Sequence, residues 1–186
     1  MKATRNETTC GLRSRTPLAA VAGGLVAASI GTLAMDLLLF ARYKRGGGST
    51  GFRRWEFSSD IRGWEEAPAP AHVGKRLVEG LFGMDLPDRR AALVNNITHW
   101  GYGILNGVPF GIIVGSVNSP RVRYGAVFGA SVWATSYAVL PAAKLYQPIW
   151  EYDARTLGKD LSAHLLYGLS TAAVFKSLST VRGSRP

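Results

Sequence analysis

His99 and His164 each stand four residues after a short polar side chain, Asn95 and Asp160, and three residues before a Tyr-Gly pair, Tyr102-Gly103 and Tyr167-Gly168. The whole set recurs at a constant offset of about 65 residues. On a helix, positions four apart share a face, so each imidazole lies one turn from its amide or carboxylate. Asp36 adds a second carboxylate from an earlier apolar segment. Three kinds of chemistry use such residues. Imidazole changes charge near neutral pH and a carboxylate beside it sets where, which suits proton or ion handling. On diagonally placed helices, His99 and His164 are also the pair that a bis-histidine haem or a metal would take, with Asp36 as a further donor. The plainest use is interhelical hydrogen bonding that fixes the packing, and this is the leading expectation.

These residues lie in segments almost free of charge. Four apolar stretches, 18–41, 91–117, 124–144 and 158–178, are separated by segments that hold most of the Lys, Arg, Asp and Glu. A helix needs roughly 20 apolar residues to cross the hydrocarbon core, so the pattern predicts four transmembrane helices. The near-zero mean hydropathy reflects dilution by the long polar connection 42–90. The first stretch follows basic residues, as a signal peptide would, but it is too long for one, carries Asp36 and ends without a small-residue cleavage site. His99 and His164 fall about seven residues into their spans from the same side, roughly 10 Å deep. Asp36, Asn95, His99, Tyr102, Asp160, His164 and Tyr167 are therefore expected to form one polar cluster beneath the long connection.

Gly103, Gly107, Gly111 and Gly115 recur every four residues and leave a groove down one face of the second span. Gly23, Ala27 and Gly31 in the first span, and Gly125 and Gly129 in the third, offer matching small surfaces, which predicts close helix contact inside the bundle. Gly23, Ala28 and Ser29 also align with Gly125, Ala130 and Ser131. Together with the repeat between the second and fourth spans, this suggests two related helical hairpins. In the long connection, Gly46 to Gly51 read as a flexible joint. Residues 71–83 read as an amphipathic helix, either lying on the membrane or packed on the end of the bundle. The segment 1–17 is a basic N-terminal arm, 181–186 a basic tail, and Asn118-Ser119-Pro120-Arg121 a tight turn.

Composition excludes several functions. The formal charge of +10 is carried by pairs such as Arg53/Arg54, Arg89/Arg90 and Arg121/Arg123 beside the apolar runs. That is the pattern of headgroup anchors rather than of a nucleic-acid surface, and no DNA- or RNA-binding signature accompanies it. Arg42, Lys44, Arg45, Arg89 and Arg90 favour a cytoplasmic long connection, against the basic termini on the other side. With Cys10 as the single cysteine, an intrachain disulfide or a multi-thiolate metal site cannot form. The chain has no Gly-x-Ser-x-Gly elbow, phosphate-cradling loop or His-Glu-x-x-His helix. Asn96-Ile97-Thr98 matches a glycosylation acceptor but falls inside a span, and His72 reads as a solvated side chain.

The run His99-Trp100-Gly101-Tyr102-Gly103 in a glycine-rich second span, with proline-containing helix ends and His164 in the last span, resembles the YagU-like small bacterial inner-membrane proteins. The resemblance covers the layout of residues 18–175 and implies a multi-pass protein of the bacterial plasma membrane, linked to stress or acid tolerance. It brings no catalytic residues, and the long charged connection departs from that family's pattern. The expectation is thus an all-α, four-helix membrane bundle with a non-enzymatic accessory role. A proton, ion or small-solute transport component is the alternative, and a bis-histidine redox protein the third reading. No cofactor is expected. Expected partners are the lipid bilayer and a second copy or another membrane protein, not nucleic acid.

Overall fold

The computed structural model describes residues 16–183 apart from 59, 118 and 119. The N-terminal arm up to residue 15 with Cys10, the end of the basic tail, and the Asn118-Ser119 part of the expected turn lie outside the described residues. The described residues form six α-helices and no strand: α1 (Pro17–Arg45), α2 (Phe52–Glu56), α3 (Ala69–Phe82), α4 (Ala91–Gly115), α5 (Tyr124–Ala142) and α6 (Ala154–Gly183). Among them, α1 alone is long and apolar enough by itself to cross a membrane, as an anchor or signal helix would. The polar residues of α4, α5 and α6 keep those helices below the same mark.

Local chemistry sets the helix ends. The Thr16 hydroxyl accepts from the Ala19 N–H at 3.3 Å, with Pro17 in the first turn, and Arg42, Lys44 and Arg45 crowd the negative end of α1 before Gly46. This helix runs four residues past its expected end because that basic turn continues the helix into a capped terminus. α6 begins earlier than expected because the Asp153 carboxylate accepts from the N–H groups of Arg155 and Thr156 and from the Thr156 hydroxyl. Conversely, α5 stops at Ala142, where Lys144 adopts a left-handed φ of 57°.

The four long helices lie in the contact order α4, α1, α6, α5, and α4 and α5 scarcely touch. Small residues permit this. A methyl group on Gly24 or Gly107 would run into the other's backbone carbonyl, and Gly111 lies equally close to the Ala20 carbonyl. Gly103 faces the Thr32 hydroxyl, Gly115 lies against Ala20, and Gly31 against Tyr167 and Thr171. On the other side of the bundle Gly125 and Gly129 abut the backbone of α6 at Gly168 and His164. α1 pairs with α4 and α5 with α6, but the registers differ: Gly103 meets Thr32, while its counterpart Gly168 meets Gly125 and Gly129. Phe110, Phe128, Phe175 and Tyr167 fill the centre, with neighbouring ring centroids 4.6–5.6 Å apart.

The long connection is folded. At the expected joint, Gly46 caps α1, Gly47 adopts φ 93°, and Gly48 lies under the Tyr43 ring, whose hydroxyl accepts from the Thr50 N–H at 3.1 Å. α2, which no periodicity announces, then sets the Phe52 and Trp55 rings edge-on and tilted against Phe40, with centroids 5.2 and 5.4 Å away. α3 packs on α4 by its small face, with Ala71 buried and Gly74 against Val94 and Thr98. Arg76 donates to the Ala143 carbonyl at the end of α5. α3 therefore bridges the gap between α4 and α5, leaving Leu77, Leu81 and Phe82 exposed. His72, read as solvated, is half-buried with Nε2 3.1 Å from the Ala67 carbonyl.

Candidate functional site

Five of the seven expected polar residues fall into two groups on either side of one cavity, and Tyr102 and Tyr167 line the cavity itself. In the first, α1 carries Asp36 into the bundle interior, where it is 3% exposed. Its Oδ1 lies 2.9 Å from His99 Nε2 on α4. Its Oδ2 is buried and has no hydrogen-bond donor among the described residues. α2 supplies what the sequence did not announce. The Glu56 carboxyl lies within hydrogen-bonding reach of Asp36, and its Oε1 accepts from Trp100 Nε1 at 2.9 Å. Asn95 turns to this same loop, donating to the Ser58 hydroxyl at 2.9 Å. Burial first, and the Asp36 carboxylate second, hold the Glu56 carboxyl above its ordinary range, with Trp100 and His99 opposing. No local pattern flags Glu56, which looks like one more charge in a polar loop. Only the packing of α2 on Phe40 and Tyr43 delivers it to Asp36.

Asp160 and His164 form the second group. They are successive turns of α6, with His164 Nδ1 3.0 Å from the Asp160 carbonyl and 3.4 Å from its Oδ1. Tyr137, Tyr146 and Tyr152 cluster beside them, their rings inclined to one another with centroids 5.4–6.2 Å apart. Burial and, next, the Asp160 charge raise the Tyr146 phenol above its ordinary range. Arg42 ties the end of α1 here, donating to the Lys159 carbonyl at 2.7 Å and the Ser162 hydroxyl at 2.8 Å.

The repeated tyrosines have different fates. Tyr167 is buried and donates to the Gly103 carbonyl at 2.6 Å, whereas Tyr102 is exposed. Tyr167→Phe is expected to lower stability by about 1–2 kcal/mol, since the hydroxyl is lost while a buried carbonyl keeps its desolvation cost. Thermal unfolding checks this, with Tyr102→Phe near neutral for comparison.

Between α4 and α5 lies a cavity of about 350 Å³ bordered by both histidines. His99, Tyr102 and Thr98 line it from α4, and Asp160 and His164 from α6, while Met35, Leu39, Val73, Val132 and Val139 make most of the remaining wall apolar. Asn95 and Asp36 are not part of its lining. Both histidines thus present one ring nitrogen to an oxygen acceptor and flank a shared space. No group of three or more His, Cys, Asp and Glu is arranged to hold a metal ion among the described residues.

No family model matches the chain, and neither the curated proteins nor the solved structures compared with it yielded a match.

Proposed function

We propose that α1, α4, α5 and α6 all cross a bilayer and that the protein takes up and passes protons through Asp36, Glu56 and His99, without enzymatic turnover. The membrane reading is supported by an inverted distribution of side-chain size. Glycine, alanine and threonine occupy the helix contacts. Val26, Ile30, Leu33 and Leu37 of α1 and Leu93, Ile97, Leu105 and Ile112 of α4 face outward. A water-soluble bundle would bury such residues, whereas lipid solvates them. α5, at 19 residues and roughly 1.5 Å each, reaches about 28 Å, close to the hydrocarbon thickness of about 30 Å. α1 lies between α4 and α6, so removing it as a cleaved leader would take away the centre of the packing. The acid-stress association implied by the YagU-like resemblance fits a proton-binding role.

One observation carries the proton reading: buried Asp36 Oδ2 lacks a conventional donor while a second carboxyl, Glu56, stands beside it. Burial and the neighbouring Asp36 carboxylate raise the Glu56 carboxyl above its ordinary range, so it is the group of the pair that takes up a proton first as pH falls. Glu56 faces the loop side, Asp36 is buried, and His99 borders the cavity, so the three form a chain of proton-binding groups leading inward. Proteoliposomes with an internal pH-sensitive dye and an imposed potential test the proposal. The wild-type protein should acidify the lumen faster than empty vesicles. Asp36→Asn, which keeps the shape and loses the carboxyl group, should cut the rate at least about tenfold. Equal rates in wild type and Asp36→Asn, or no wild-type flux, would overturn it.

A further inference from the structure

We infer that the cavity between α4 and α5 is a binding site for an uncharged lipid alcohol, a hydrocarbon body carrying at least one hydroxyl. The inference rests on the membrane-spanning reading for the ligand's source, but its chemistry comes from the cavity lining. The wall is mostly apolar with a few convergent polar groups, as small-molecule sites are. Because α4 and α5 scarcely touch, the space between them gives a lipid a lateral way in. α3 covers its loop-side end through Ala69, Pro70 and Val73.

Charge decides against ionic ligands. No Lys or Arg lines the cavity, so nothing there would neutralise a fatty-acid carboxylate or a phosphate, and the Asp160 carboxylate would repel either. The same carboxylate is already engaged by His164 Nδ1 at 3.4 Å, which weakens its claim on an organic cation. Hydrogen-bond polarity then selects among neutral lipids. His164 uses Nδ1 toward the Asp160 carbonyl, and His99 uses Nε2 toward Asp36. In the neutral ring each histidine donates through that nitrogen, so His164 Nε2 and His99 Nδ1 are left as acceptors. The Thr98, Tyr102, Thr135, Ser136 and Tyr146 hydroxyls border the same space. An alcohol can donate to a histidine nitrogen and accept from these hydroxyls, whereas a ligand with only carbonyl oxygens can do no more than accept.

The test uses the full chain in lipid nanodiscs with three photoreactive probes of similar length: a diazirine-bearing farnesol analogue, a diazirine-bearing palmitic acid and a diazirine-bearing alkane. Labelled peptides are mapped by mass spectrometry. The farnesol probe should label α4 and α5 at the cavity, be displaced by unlabelled farnesol, and exceed the other two about tenfold. Val139→Trp, at an exposed position on the cavity wall, should abolish that labelling. His164→Phe, which keeps a ring and removes the acceptor, should weaken it about tenfold. Equal labelling by the alkane, preferential labelling by the fatty acid, or labelling unchanged in Val139→Trp would overturn the inference. Labelling is read without a pH gradient, so its failure is separable from a failure of proton flux.

Discussion

Gly107→Leu is expected to prevent the bundle from closing, with a loss of about 3 kcal/mol or more in stability and little folded protein recovered. The added side chain has no free direction: its first carbon would meet the Gly24 backbone and the Ala28 methyl. Both lie on the central helix, so relief requires α1 and α4 to separate along their shared face. Overpacking a well-fitted interior commonly costs 1–3 kcal/mol (about that range for a tolerant core), and a backbone-to-backbone contact is the least tolerant place to add volume. Gly101→Ala is the matched control. A methyl there meets nothing within 4 Å, and alanine's better helix propensity should leave stability unchanged or raise it by about 0.5–1 kcal/mol. Folded yield and thermal unfolding separate the two. Comparable melting of Gly107→Leu and wild type would refute the α1–α4 contact.

Asp36→Ala should be the most damaging change at the polar site, lowering stability by about 3 kcal/mol because it strips a half-buried His99 of its partner and leaves a void under Glu56. Its pH dependence carries more information than its size. Glu56 has a folded-state pKa above its unfolded value of 4.5, so the native state binds more protons than the unfolded state between the two values. The cost of charging Glu56 is fully present above the raised pKa and disappears as pH falls toward 4.5. Wild-type protein should therefore gain stability relative to Glu56→Gln on acidification through that window, while Glu56→Gln is the more stable of the two at neutral pH. In Asp36→Asn the neighbouring charge is gone and the gap between the two curves should shrink. Melting temperatures of the variants at several pH values measure this, and parallel curves would sink the coupling of Glu56 to Asp36.

The long helices and their small-residue seams were legible in the sequence because both are local, periodic properties. Gly103, Gly107 and Gly111 mark a face by spacing alone, and the structure puts α1 against it. The polar site was legible only in part. The neighbourhood of Asp36 and His99 follows from depth along antiparallel helices. Glu56 depends on a five-residue helix, too short to show a period and held by aromatic packing across the chain. The repeat of His-x-x-Tyr-Gly suggested equivalent roles for Tyr102 and Tyr167. Their different burial follows from position in the bundle: α6 packs against both α1 and α5, whereas α4 has one long-helix neighbour and an open flank on the cavity. For the same reason Asp36, Asn95 and His99 separate from Asp160 and His164 with the cavity between them. The amphipathic pattern of 71–83 named a helix but not its docking face, since the buried side is Ala71 and Gly74 rather than Leu77 and Leu81.

The central claim is that Glu56, held above its ordinary range by burial and by the Asp36 carboxylate, is the carboxyl that takes up a proton first on acidification. Infrared difference spectroscopy on the protein in lipid nanodiscs, stepped from neutral to acidic pH, reads the C=O stretch of a protonated carboxylic acid directly. The first band to appear in the wild-type protein should be absent from Glu56→Gln and should move to lower pH in Asp36→Asn. A first band that survives in Glu56→Gln, or one whose pH is unmoved in Asp36→Asn, would contradict it.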